Sequence, residues 1–227
     1  MKHSNKTILA LFLSLMLVLL AACALTPPTA EGSSDVSALP QFDENTASFP
    51  TAGYSLQFPD VFANYASEGV FSYSEAQSGC EADGTAYYHK LYADFMPFES
   101  LDIINDMEQN ADELTEAQKD AYIKRIYASM KNLFVITVYD KETLNAALAG
   151  GKDISEVTGC ANNRLIGEQE GLVYYFSTPD RNLSGLKEDS KQAYEALYDT
   201  IPDVVEGITF FPPDRPGDDG DGPDVVS

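Results

Sequence analysis

The stretch Gly53-Tyr54-Ser55-Leu56-Gln57-Phe58-Pro59 alternates apolar and polar residues and stops at a proline. A period of two marks a strand with one buried face, so a half-buried strand is predicted here. Val70 to Ser74 has the same rhythm, with Phe71 and Tyr73 on one side. Thr85 to Met96 reads as a long aromatic strand, reached through a loop containing Gly79, Asp83 and Gly84. The rhythm then changes. Ser100 to Gln109 fits a helix, and Thr115-Glu116-Ala117-Gln118 has the form of a capping box, in which both side chains satisfy free backbone donors at a helix start. The helix it opens carries Tyr122, Ile126 and Met130 on one face.

Leu133 to Tyr139 is almost continuously apolar and β-prone, as expected of a strand covered on both faces. Thr143 to Ala149 predicts a short helix stopped by Gly150-Gly151. Arg164 to Ile166 and Leu172 to Ser177 predict a hairpin around Glu168-Gln169-Glu170-Gly171. Ser184 is expected to cap a last helix that turns Leu186, Ala193, Leu197 and Ile201 inward and ends at Pro202. Ile208 to Phe211 completes the pattern as a strand. Strands come in groups with helices between the groups. The expected class is therefore α+β: a mainly antiparallel sheet of about five to seven strands with helices packed against it.

Charge narrows the partners. The sequence holds 14 Lys and Arg against 36 Asp and Glu, a formal net charge of −22. A field of that sign repels nucleic acid and anionic headgroups, so no nucleic-acid partner is expected.

The first residues differ from the rest. Lys2 and Lys6 precede the apolar run ILALFLSLMLVLLAA, the pattern of an export signal. The run from Thr7 to Leu25 is about long enough to span a bilayer, so a retained anchor is the alternative. The tetrapeptide Leu20-Ala21-Ala22-Cys23 resembles the lipobox of bacterial lipoproteins. That resemblance implies that Cys23 receives a diacylglycerol, that a peptidase cuts just before it, and that further acylation such as palmitate can follow. More than one acyl chain is needed for stable anchoring. The implied address is the extracytoplasmic face of the cell membrane, held there by lipid.

The expected organisation has four parts. Residues 1–22 are a lipoprotein signal peptide. Residues 23–50, rich in Pro, Ser, Thr and Ala, read as a lipidated disordered tether. Residues 51–213 are a single globular α+β domain. Residues 214–227, DRPGDDGDGPDVVS, read as an acidic disordered tail.

The search for chemistry is mostly negative. His89 is the sole histidine after signal removal, and it lies mid-strand, where an ordinary strand role is expected. No zinc-ligand spacing, P-loop, Rossmann glycine run or G-x-S-x-G occurs, so no catalytic residue, metal or cofactor is assigned. The acidic tail has calcium-compatible residue types but not the EF-hand pattern, and a solvated tail is favoured. Tyrosines are abundant: Tyr87, Tyr88, Tyr92, Tyr139, Tyr174, Tyr175, Tyr194 and Tyr198. Most are expected in the core, and an exposed row of them would be a binding surface. Cys80 and Cys160 form an even remainder in an exported chain, which suggests one structural disulfide, with two separate thiols as the rival.

The GYSLQFP strand, the RLIGEQEGLVYYFSTP hairpin and the closing AYEALYDTIPDVVEGITFFPP together resemble an accessory module of surface lipoproteins in Gram-positive gut bacteria. There the module commonly stands in front of a thioredoxin-like domain. The opening strand is also similar to that of PsbP-like domains. The module resemblance implies a non-enzymatic binding or accessory role with a thiol-redox protein as partner. No Cys-x-x-Cys occurs, so dithiol chemistry does not carry over to this chain. The alternatives are a surface solute- or glycan-binding lipoprotein and a carboxylate-dependent hydrolase.

Overall fold

The computed structural model describes residues 45–214. The expected signal peptide, Cys23 and most of the expected tether, and the expected tail beyond Asp214, lie outside the described residues. Among those described, no helix is long and apolar enough to cross a membrane.

The domain begins earlier than the sequence pattern suggests. Thr46–Phe49 is a strand, β1, so the tether expected to reach residue 50 ends sooner. Its pattern is too short to read alone, but Ala47 and Phe49 are buried because β1 pairs antiparallel with β2, Tyr54–Gln57. β8, Ile208–Phe210, joins the other side of β2 and completes a three-stranded antiparallel sheet.

The second sheet has five strands. β3 is Phe71–Cys80, β4 Ala86–Phe95, β5 Lys131–Asp140, β6 Asn162–Gln169 and β7 Leu172–Thr178. Their order is β3-β4-β5-β7-β6, and every pairing is antiparallel. The class is α+β, as expected, although the strands divide into two sheets. Central β5 is buried from Leu133 to Tyr139, which explains its unbroken apolar run. Glu170 and Gly171 both have positive φ, 47° and 79°. That pair of left-handed residues closes the two-residue turn between β6 and β7.

Helices fill the connections. α1 is Asp60–Ser67, α2 Phe98–Gln109, α3 Glu116–Ser129, α4 Lys141–Ala149, α5 Ile154–Thr158, α6 Glu188–Asp199 and α7 Ile201–Glu206. The capping box at Thr115 forms as predicted. Of the face Tyr122, Ile126 and Met130, only Ile126 is buried; Met130 has left the helix as its cap, and Tyr122 donates to Asp106 of α2 at 2.6 Å. Ser184 does not cap α6. Asn182 accepts from both the backbone and the hydroxyl of Ser184, which holds it in a turn, and Lys187 takes the cap position. Pro202 does not end that helix; it stands in the first turn of α7, where its missing N–H costs no helical bond.

Two apolar clusters lie on opposite faces of the five-stranded sheet. The larger packs Phe134, Ile136 and Val138 of β5 against β2, α1 and α6. The smaller gathers Tyr139, Val173, Leu144 and Val157 under α4 and α5. Each large side chain so buried contributes about 1.5–3 kcal/mol. Phe210 of β8 lies across β6 at Gly167, where an added Cβ would stand 2.7 Å from its ring.

Candidate functional site

Two polar clusters are built on consecutive residues of β4. Successive side chains of a strand point to opposite faces, so His89 enters the larger core and Lys90 the smaller one.

His89 is 1% exposed. Its ring sits among Phe49 and Tyr54, with centroids 5.1 and 5.6 Å away. The Tyr54 hydroxyl lies 3.3 Å from Nδ1, and Glu75 Oε2 lies 3.2 Å from Nε2. Burial, with Glu75 and Tyr174 nearby, holds the Tyr54 phenol well above its ordinary range, so the hydroxyl keeps its proton and is able to donate to Nδ1. In the tautomer with its proton on Nε2, the ring accepts from Tyr54 at Nδ1 and donates to Glu75 at Nε2. A cavity of about 140 Å³ opens beside this group, lined by Thr51, Gln77, Ser78, Tyr88 and His89. The place expected for His89, an ordinary position inside a strand, agrees with two nitrogens that are both engaged.

Lys90 was not legible as special. It is 5% exposed, with its ammonium 2.5 Å from Glu81 Oε2. The other carboxylate oxygen accepts from the Tyr139 hydroxyl at 2.7 Å. The ammonium also lies 5.3 Å from the ring centres of both Tyr87 and Tyr92, a cation–π arrangement. Burial and Glu81 together raise the Tyr139 phenol, keeping it a donor. The sequence signal for this cluster was the aromatic pair at Tyr87 and Tyr92 flanking a single lysine.

Tyr87 and His89, two residues apart, serve different clusters. Opposite them in β3, Ser78 has φ of 45°. A left-handed residue inside a ladder increases local twist, and the change of side occurs here.

The loop between β3 and β4 is tied down at Asp83. Lys152 donates to its carboxylate at 2.6 Å, and Thr85 donates through both backbone and hydroxyl. The Lys152 hydrogen bond leads the causes that lower the Asp83 carboxyl to about 2.

Cys80 and Cys160 are free thiols in the structure, and the expected bridge between them is not formed. Cys80 is exposed at the end of β3, and Cys160 is half-buried beyond α5. Cys80 lies close enough to Tyr87 to act on its phenol. Cys160 lies instead within the influence of Lys90 and Glu81, and burial raises its thiol above the ordinary value.

The tyrosines do not form an exposed row. Tyr139, Tyr174 and Tyr194 are buried, and Tyr87, Tyr88, Tyr92, Tyr175 and Tyr198 are half-buried. Tyr174 is held by bonds to Ala52 O and Gln169 Nε2 at 2.8 and 2.9 Å. Among the described residues, Leu165 is the exposed large apolar side chain, and no group of acidic, histidine and cysteine side chains is arranged to hold a metal ion. Comparison with protein-family models, with curated proteins and with solved structures gives no match.

Proposed function

We propose that this chain is a lipid-anchored extracytoplasmic lipoprotein whose folded part is a non-enzymatic binding or accessory module. The address rests on Leu20-Ala21-Ala22-Cys23 behind its apolar run. The observation that supports the module reading is the mutual engagement of the reactive side chains. His89 is shared between Tyr54 and Glu75, and Lys90 is consumed by Glu81 between two tyrosine rings. Groups committed in this way hold the two faces of the sheet together.

The partner class is an exported thiol-redox protein, on the strength of the module resemblance. Cross-linking of the native chain on intact cells, followed by mass spectrometry, tests this. The expected product joins residues of the 45–214 domain to an exported protein with an active dithiol. Cross-links confined to lipid and cell-wall material contradict the reading.

A further inference from the structure

Four of the five residues around the cavity beside His89 belong to two consecutive rungs of the β3–β4 ladder: Gln77 with His89, and Ser78 with Tyr88. Consecutive rungs of a regular ladder face opposite sides of a sheet. These two open on the same side, and Tyr88 packs on the core that His89 enters. Ser78, left-handed at φ 45°, is where the alternation breaks. Such a backbone is uncommon for a residue other than glycine, and it concentrates at functional sites. The next residue is Gly79, where an added Cβ would stand 2.4 Å from the Tyr87 hydroxyl. The fifth residue, Thr51, comes from the helical turn Pro50–Ala52 between β1 and β2, so the cavity lies where the two sheets meet.

The lining selects a ligand class. Thr51, Ser78 and Tyr88 bring hydroxyls and Gln77 an amide, groups that each donate and accept. Among the described residues, no partner bonds to these four side chains, whereas both ring nitrogens of His89 are engaged. His89 is buried and forms the floor; Gln77 and Ser78 are exposed and stand at the mouth. An apolar ligand would leave the hydroxyls and the amide unpaired, which is costly. An anion finds no Lys or Arg in the lining and meets a net charge of −22. A cation finds no carboxylate in the lining, and Glu75 is already bonded to His89. Vicinal hydroxyls of a neutral sugar donate and accept as the lining does, and the C–H face of the ring suits the Tyr88 aromatic ring. At about 140 Å³ the cavity is smaller than the ~300–1,000 Å³ of drug-sized sites, so it takes a single ring.

We propose that this cavity binds one neutral sugar ring, with Thr51, Gln77, Ser78 and Tyr88 as its contacts. This deepens the binding-module reading and rests on it, but it does not require the thiol-redox partner. Tyr54 and Glu75 fix His89 from both sides, so the histidine is a positioning residue that holds the floor in place.

The test titrates the full chain, in a sugar-free detergent, with free glucose, galactose and mannose, with short neutral oligosaccharides of the same sugars, and with glucuronate as the anionic control. Binding is read from backbone and side-chain amide shifts by NMR. At least one neutral sugar is expected to shift Thr51, Gln77, Ser78 and Tyr88 saturably, with a Kd on the order of 1 mM, as for a ligand of about twelve heavy atoms. Glucuronate is expected to shift none of them. Gln77→Ala and Ser78→Gly each remove one polar group from an exposed residue, and glycine accepts the left-handed backbone at 78. Each is expected to weaken binding about three- to tenfold, with β5 amide shifts unchanged as the check on folding. Binding of oligosaccharides alone supports the site and names a glycan end as the source; equal binding of free sugar supports it and names the free sugar. No saturable shift with any neutral sugar, shifts centred on other residues, an equal response to glucuronate, or affinity indifferent to both variants overturns the proposal. If that result accompanies a cross-linked exported dithiol protein on cells, the sugar site falls while the module reading stands.

Discussion

His89 and Lys90 are neighbours on β4, both buried, and they face opposite cores of the same sheet. Each brings a polar group into an apolar layer, and each finds a carboxylate from the β3 side: Glu75 for His89 and Glu81 for Lys90. The two pairs differ in depth. Both partners of the lysine pair are 7% exposed, whereas Glu75 reaches solvent. A lysine in that setting is tolerable only with its charge matched and its remaining surface covered, here by Tyr87 and Tyr92.

Breaking this pair on one side should therefore be costly. Lys90→Met leaves Glu81 charged and buried, with only Tyr139 donating to it. A loss of about 3–5 kcal/mol in urea unfolding is expected. The double variant Lys90→Met, Glu81→Leu should recover most of that loss. A double variant no more stable than the single one would show that the pair does not behave as a coupled unit.

Acid sensitivity should trace to Asp83. Its carboxyl is lowered from the ordinary 3.8 to about 2, led by the Lys152 hydrogen bond. A depressed acid contributes stability that is fully present above its unfolded value and is lost as pH falls through its folded value. The contribution therefore disappears between 3.8 and about 2. Lys152→Met should flatten the unfolding midpoint across that window and lower it above the window. Parallel pH profiles for the variant and the parent would contradict the assignment.

The two thiols of the reduced, folded protein should react at different rates. Cys80 is exposed, while Cys160 is half-buried and burial raises its thiol above the ordinary value. Alkylation followed by mass spectrometry should label Cys80 first, and Cys80→Ser should leave only the slow phase. Equal rates would contradict the burial of Cys160. A disulfide formed after export, proposed from the cysteine count, would remove both phases until reductant is added.

Contact between the sheets should depend on Gly167. Phe210 occupies the space that any side chain there would take. Gly167→Val should destabilise the domain by about 1–3 kcal/mol through displacement of that ring. The smaller residue in Gly167→Val, Phe210→Ala should restore part of the loss. Full tolerance of valine at 167 would show that β8 is not held there.

What the sequence revealed was what local physics controls. The run Leu133 to Tyr139, the Thr115 capping box and the turn at Glu170-Gly171 each have a short-range cause, and each appears where expected. β1 and α5 were missed because four- and five-residue elements carry little pattern; their burial comes from partners distant in sequence. Ser184 had the right chemistry for a cap, but Asn182 captured it two residues away. The lysine cluster was hidden for a similar reason. Glu81 and Tyr139 are 58 residues apart, and only the order β3-β4-β5 brings them together around Lys90.

The account as a whole depends on the chain being tethered outside the cell at Cys23. Intact-mass analysis of the protein extracted from its native membrane tests this directly, with Cys23→Ser as the control. The expected result is a chain that begins at Cys23 and carries diacylglycerol, with the variant lacking the lipid. An unmodified N-terminus upstream of Cys23 would contradict the account.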